Sequence, residues 1–176
     1  MDSTHFEAQA LEHVAGLMCV AARTAPKAKG VDNICTLVLS PGPDRQRLLS
    51  RMREIARTRD KPGFRRDADN AERAALIVII GTKTGSLGLT VCGMCGYADC
   101  QSCGTAGALC AYNPLDMGIA IGSAVNIAAA HHVDNRIMYS IGKTALDLNL
   151  FGEVPVKIAM GIPISATGKN IFFDRG

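Results

Sequence analysis

The sequence predicts a three-layer α/β or α+β domain, a sheet with helices packed on its faces. Three observations carry this. Helical and strand patterns alternate along the chain, as expected where helices cover a sheet. The run Leu76–Ile80, inside ALIVIIGT, is continuously apolar and rich in β-branched residues, as a central strand buried on both faces must be. Residues 113–130 are apolar almost all round, as a helix covered on more than one side must be. A length of 176 residues suits one domain with a sizeable core. No internal repeat, low-complexity stretch or long linker interrupts it, so residues 1–176 are expected to form a single unit.

Residues 4–22 read as a helix, with Phe6, Ala10, Val14, Leu17 and Ala21 at helical spacing and Leu11 and Met18 widening the stripe. Cys19 falls among apolar neighbours and reads as a small buried hydrophobe. Pro26 ends this helix by Ala25. The following RTAPKAKG sets Arg23, Lys27 and Lys29 beside a proline and a glycine. It reads as a solvated basic loop at a helix C-terminus, where cations are favoured, or as an anion site. Ile34–Leu39 is a strand stopped by Pro41 and Gly42. Residues 44–59 form a helix with Leu48, Met52, Ile55 and Ala56 inward and Arg45, Arg47, Arg51, Arg53, Arg57 and Arg59 around the rest. That face is solvated, or it docks an acidic redox partner. Lys61-Pro62-Gly63 reads as a turn, and Asp67–Arg73 as a short helix entering the central strand.

Helix 113–130 has Asn113 as its expected cap, Pro114 at its first position and Asp116 near its positive end. Gly118 and Gly122 let another backbone approach, so the expected covers are the sheet and the same helix of a second subunit. His131 and His132 follow its end, where a cation is ordinary and a metal ligand is not required. Arg136–Ile141 reads as a strand, Lys143–Leu150 as a helix closed by Gly152, and Val154–Met160 as a strand. SATGKN is not a phosphate-binding P-loop: six residues separate Gly161 from Gly168, and Asn170 follows Lys169. Phe172 and Phe173 predict a docked tail.

Between the central strand and the buried helix lies CGMCGYADCQSCGTAGALC, residues 92–110, with five of the seven cysteines. It reads as a loop, too glycine-rich for a regular helix. Glycine N–H groups can turn toward an anion, and a cluster of thiolates and sulfides is one. Four soft thiolates in such a loop suit an iron–sulfur cluster or zinc. A [4Fe–4S] cluster is preferred. Zinc knuckles usually stand a dozen or so residues apart, whereas Cys92/Cys95 and Cys100/Cys103 are separated by four. A disulfide framework is disfavoured by the odd cysteine count, the lack of a secretory signal and a length that needs no staples. The spacing C-x2-C-x4-C plus one distant cysteine selects Cys92, Cys95, Cys100 and Cys110. Cys103 is the rival to Cys110, which is preferred because it directly precedes a strong helix start.

Composition narrows the function. A net charge of +3 is too mild to argue for nucleic acid. No uncharged apolar run of about eighteen residues opens the chain, and no membrane association is expected. Thiolates at this density point to a reducing cytoplasm. No Ser-His-Asp set stands out, and Asp116, Asp134 and Asp147 have caps or turns as sufficient explanations, so hydrolysis is not expected.

AARTAPKAKGVDNI, CGMCGYADC, LDMGIAIGSAVNIAA, VDNRIMYSIGKTA and MGIPISATGKNIFFDR resemble, nearly end to end, a bacterial and archaeal family of unknown function described as containing a ferredoxin-like domain. The resemblance implies cluster ligands at Cys92, Cys95, Cys100 and Cys110, with Cys103 outside the family pattern. The order of elements is also similar to the nitroreductase family. Arg23 and Pro26 match its first basic loop, helix 114–130 its dimer helix, and Met160-Gly161-Ile162-Pro163 its strand-ending turn, although its R-x-S motif is absent here. That likeness implies an α+β, nitroreductase-like α/β/α sandwich with an embedded iron–sulfur loop, and a homodimer through helix 114–130. It also implies FMN at the dimer interface with Arg23, Lys27 and Lys169 on its phosphate. The expected function is electron transfer through the cluster, as an oxidoreductase if the protein is an enzyme and with a redox partner protein. The alternative is a sensor or scaffold with a structural metal.

Overall fold

The computed structural model describes residues 2–173. Its centre is strand β2, Leu76–Lys83, whose residues Leu76 to Thr82 are all buried. Beside it run β1 (Ile34–Leu39) and β4 (Val156–Ser165), and the two-residue β3 (Asp134–Asn135) closes the far edge. The order is β1-β2-β4-β3, and every neighbouring pair is antiparallel. Alternate residues of β2 feed two cores. Leu76, Val78 and Ile80 pack with α1 (Thr4–Thr24) and α5 (Tyr112–Ala130). Ile77 and Ile79 pack with α2 (Pro43–Thr58), α3 (Pro62–Arg73) and α6 (Tyr139–Asp147). This is the expected three-layer sandwich, and it explains why the β2 run carries no polar alternation.

Several elements differ from the sequence reading. Helix α3 starts at Pro62 rather than 67. Proline suits a first helical position, and Phe64, Ala68 and Ala71 then share the buried face. The expected strand 136–141 is absent. Only Asp134–Asn135 pair with β4, Met138 makes a single bridge to Gly161, and α6 begins at Tyr139. The helix wins because Ile141 and Ala145, four apart, both reach the second core. β4 continues through Pro163 to Ser165. Pro163 is tolerated where it lies between the Asn135–Ile164 pair and the Met138–Gly161 bridge.

On α1 the buried face is Leu11, Val14, Ala15, Met18 and Ala22, which leaves Phe6 and Ala10 exposed. Arg45 is not on the solvated face of α2. It is 6% exposed and donates to the carbonyls of Ala71, Glu72, Ala74 and Ala75, capping the end of α3. Phe172 docks in the second core as expected, whereas Phe173 is exposed beneath the Arg136 guanidinium. No helix among the described residues is long and apolar enough to cross a membrane.

Candidate metal centre

The cysteine loop leaves the C-terminal end of β2 and re-enters at the start of α5. Gly93, Gly96 and Gly107 have φ of 73°, 83° and 66°, a left-handed geometry that only glycine adopts without cost. Those turns double the chain back on itself. Within the loop, contrary to the sequence reading, Cys100–Thr105 form a short helix, α4. Its start is fixed by Asp99, whose carboxylate accepts the Ser102 N–H at 2.7 Å. One helical turn then sets Cys100 and Cys103 on the same face.

All five cysteines of the loop line one cavity, together with Ser86, Gly93, Asp99, Ala111 and Tyr112. Cys92 is exposed, Cys95, Cys100 and Cys110 are half-buried, and Cys103 is 3% exposed. Cys103 and Cys110 also wall a neighbouring cavity that contains Thr84, Gly85 and Ser86. The thiols ring a space. Among the described residues, no three His, Cys, Asp or Glu side chains already close round one ion position. The Cys100 thiol is pulled below its ordinary value by the Ser86 hydroxyl, then by backbone hydrogen bonding at Leu89 and Gly88, which outweigh partial desolvation. The Cys103 thiol is pushed up, first by burial and then by the adjoining Cys95 thiol and the charges of Cys110 and Cys100. Soft thiols converging on one cavity, one of them primed toward thiolate, fit an iron–sulfur centre. Cys92, Cys95, Cys100 and Cys110 all reach this cavity, and so does Cys103.

The segment from Thr84 to Val91 is pinned from outside. The Gly85 N–H donates to Asn113 Oδ1 at 3.1 Å, and Lys29 Nζ donates to the Leu87 carbonyl at 3.0 Å. Asn113 is therefore not the cap of α5. The helix starts at Tyr112, and Asn113, 2% exposed, holds Gly85 in the segment that leads into the cysteine loop. Asp116 does more than favour a helix terminus. Both its oxygens accept the Ala28 N–H at 3.2 Å, tying the basic loop to α5.

The three cations linked by resemblance to a flavin phosphate do not converge within one chain. Arg23 pairs with Asp32 and donates to the Ile34 carbonyl. The Asp32 carboxyl, though raised by burial, is held below its ordinary value by Arg23, the Ile34 N–H and Lys27. Lys27 is nearly buried, and the three hydrogens of its ammonium are matched by the carbonyls of Ala22, Arg23 and Ala25 at the end of α1. Lys169 follows β4, beside the Asn170–Asp134 hydrogen bond and near the C-terminal end of α5. The Asp116 end of α5, where Ala28 docks, lies on the order of 20 Å away along the helix. His131 and His132 are exposed beyond α5. Asp134 and Asp147 have partners in Asn170 and Lys143.

Sequence reading missed Ser86 and Asp99, and the roles of Lys29 and Asn113. Asp99 carried a local signal, since an aspartate ahead of a short helical turn is a cap pattern. The others meet partners distant in the chain and carry none.

Residues 106–175 match the family model described as "Uncharacterized protein containing a ferredoxin domain (DUF2148)", which takes in Cys110 and leaves the other four loop cysteines upstream. An uncharacterized protein of Archaeoglobus fulgidus is 36% identical over 183 residues, covering 99% of this chain and 97% of the relative. The fold is similar to a nitroreductase with bound FMN from Bacteroides fragilis (TM-score 0.63, 13% identity, 89% of this chain and 79% of that one). It is also similar to the nitroreductase CinD of Lactococcus lactis in complex with nicotinic acid (TM-score 0.61, 15% identity, 90% and 79%). At such identities the likeness speaks for the nitroreductase-like fold. The end-to-end archaeal relative and the family model together place the chain in the DUF2148 family of ferredoxin-domain proteins.

Proposed function

We propose that this protein is an iron–sulfur redox protein whose centre is a [4Fe–4S] cluster held by Cys92, Cys95, Cys100 and Cys110. One observation carries the reading: five thiols line a single cavity at the end of the central strand. When bound, such a cluster supplies one-electron transfer at a potential set by its ligands and their hydrogen bonds. The chain's own residues prepare that site. The Ser86 hydroxyl lines the cavity and favours the Cys100 thiolate, and α4 begins at Cys100. The buried Cys103 completes the cavity wall and is the fifth thiol in a site that requires four. Exposed Cys92, Val91 and Met94 give a redox partner protein access to the centre. A reducing cytoplasm would keep these thiols available.

The proposal includes a homodimer. On α5, Leu115, Gly118, Ile119 and Gly122 form an exposed stripe, with open space above both glycines. Two α5 helices crossing antiparallel there would bring the Arg23 end of one chain to the Lys169 end of another. Across that interface an FMN phosphate would find cations that one chain holds apart. The internal pairing of Lys27 and Arg23 favours the alternative, a flavin-free protein in which the metal has a structural or sensing role.

The test is anaerobic purification followed by iron, sulfide, zinc and flavin analysis, with absorption spectra before and after dithionite. About four irons and four sulfides per chain, with a broad band that bleaches on reduction, are expected. One zinc and no visible band would overturn the electron-transfer reading.

A further inference from the structure

Lys29 was one of three cations in a loop read as solvated or anion-binding, and the fold gives it a different task. Lys29 and Gly30 both take left-handed backbone conformations, φ 54° and 65°. For a lysine this geometry is uncommon and is kept only where the surroundings require it. From this position the ammonium reaches 58 residues along the chain to the carbonyl of Leu87 at 3.0 Å. Leu87 is itself 8% exposed. On either side of it stand Ser86, which lines the same cavity as Cys100, and Leu89, whose carbonyl accepts from the Cys100 thiol at 4.0 Å. The base of the strut is fixed too, because the neighbouring Ala28 N–H is held by both oxygens of Asp116.

We infer that Lys29 is a positioning residue for the metal centre, bracing through Leu87 the segment that carries Ser86 and Leu89 against Cys100. The inference rests on the iron–sulfur reading above. Its direction follows from electrostatics. Reduction adds negative charge to a cluster and its thiolates, and hydrogen-bond donors and nearby cations favour that state. Removing Lys29 takes away one cation and loosens the Ser86 hydroxyl that lines the thiol cavity, and both changes disfavour reduction. Arginine at the same position keeps the charge and a donor, and so preserves most of the effect.

The experiment is a spectroscopic redox titration of the anaerobically purified, cluster-loaded full chain, comparing the parent with Lys29→Met, Lys29→Arg and Ser86→Ala. Rates of iron loss to a chelator are followed in parallel. Lys29→Met and Ser86→Ala are expected to lower the reduction equilibrium constant threefold or more, and Lys29→Arg to stay close to the parent. Lys29→Met is also expected to release iron faster. A Lys29→Met protein with the parent's potential would overturn the inference, because a residue that only supports the loop would change iron loss and leave the potential alone. If Lys29→Met will not fold, a Ser86→Ala protein with the parent's potential overturns it instead. A parent protein without a cluster would defeat the functional reading itself, an outcome distinct from either.

Discussion

Replacing Gly142 with alanine tests how α6 is seated, because this glycine is where the helix rests on the sheet. A Cβ placed there would lie 1.9 Å from the carbonyl oxygen of Ala159, 2.2 Å from its carbonyl carbon and 2.6 Å from the nitrogen of Met160. All three are backbone atoms of β4, so no side chain can swing aside. Comfortable contact begins near about 3.5 Å, so helix and strand must separate by roughly 1.5 Å. That separation also lifts Ile141 from Gly161, where it packs so closely that a Cβ on the glycine would sit 2.1 Å from its methyl group. Overpacking usually costs ~1–3 kcal/mol, and the upper end applies where only backbone can yield. Better helix propensity returns up to ~1 kcal/mol. We expect a net loss of about 2–3 kcal/mol, a fall in Tm of roughly 4–12 °C for a chain of this size. Gly63→Ala is the control. It lies in the first turn of α3 with nothing within 4 Å of the added carbon, and it should gain about 0.5 kcal/mol. Thermal unfolding followed by circular dichroism, under one set of solution conditions, reads both. A Gly142→Ala protein as stable as the parent would refute the seating of α6 on the β4 backbone.

Three further predictions concern the site and the surface. Asp99→Ala should fray α4 and speed iron loss to a chelator, with little change in global unfolding; unchanged retention would remove Asp99 from the site's architecture. The Asp99 carboxyl is held below the ordinary 3.8, chiefly by the Ser102 N–H and then by the Ser102 hydroxyl. A carboxyl depressed in the fold contributes fully above its ordinary range, and that contribution fades as pH falls through the lowered value. Amide exchange at Ser102 in metal-free protein should therefore stay protected down to about pH 4 and quicken below it, and a loss already under way at neutral pH would contradict the cap. Ile119→Glu, at an exposed position of the α5 stripe, should convert the proposed dimer to monomer in sedimentation experiments; a variant as dimeric as its parent would place the interface elsewhere.

The elements most legible in the sequence were those whose burial leaves a one-dimensional trace. β2 is apolar on both faces because each face meets a helical layer, and any sequence filling that position must show the run. The cysteine loop was equally legible, since thiol density over nineteen residues is a local property. The misreadings share a cause. Arg45 resembles its neighbours on α2, and only the approach of α3 supplies the four carbonyls that bury it. Phe6 and Ala10 fit a helical stripe, but the stripe that is used is the one facing α5. Ile137, Met138 and Ile141 suit either element, and the second core that Ile141 and Ala145 both reach decides for helix.

By itself, then, the sequence determined the layered architecture, the central strand, the buried helix and the cysteine loop, because each is written in the polarity and spacing of neighbouring residues. The tertiary structure decided which groups meet. Lys29 reaches Leu87, Asn113 holds Gly85, and Asp116 receives Ala28. Those pairings join residues 28 to 88 positions apart. Hydrogen bonds across such distances depend on where the sheet and helices carry the backbone, and no local pattern encodes that.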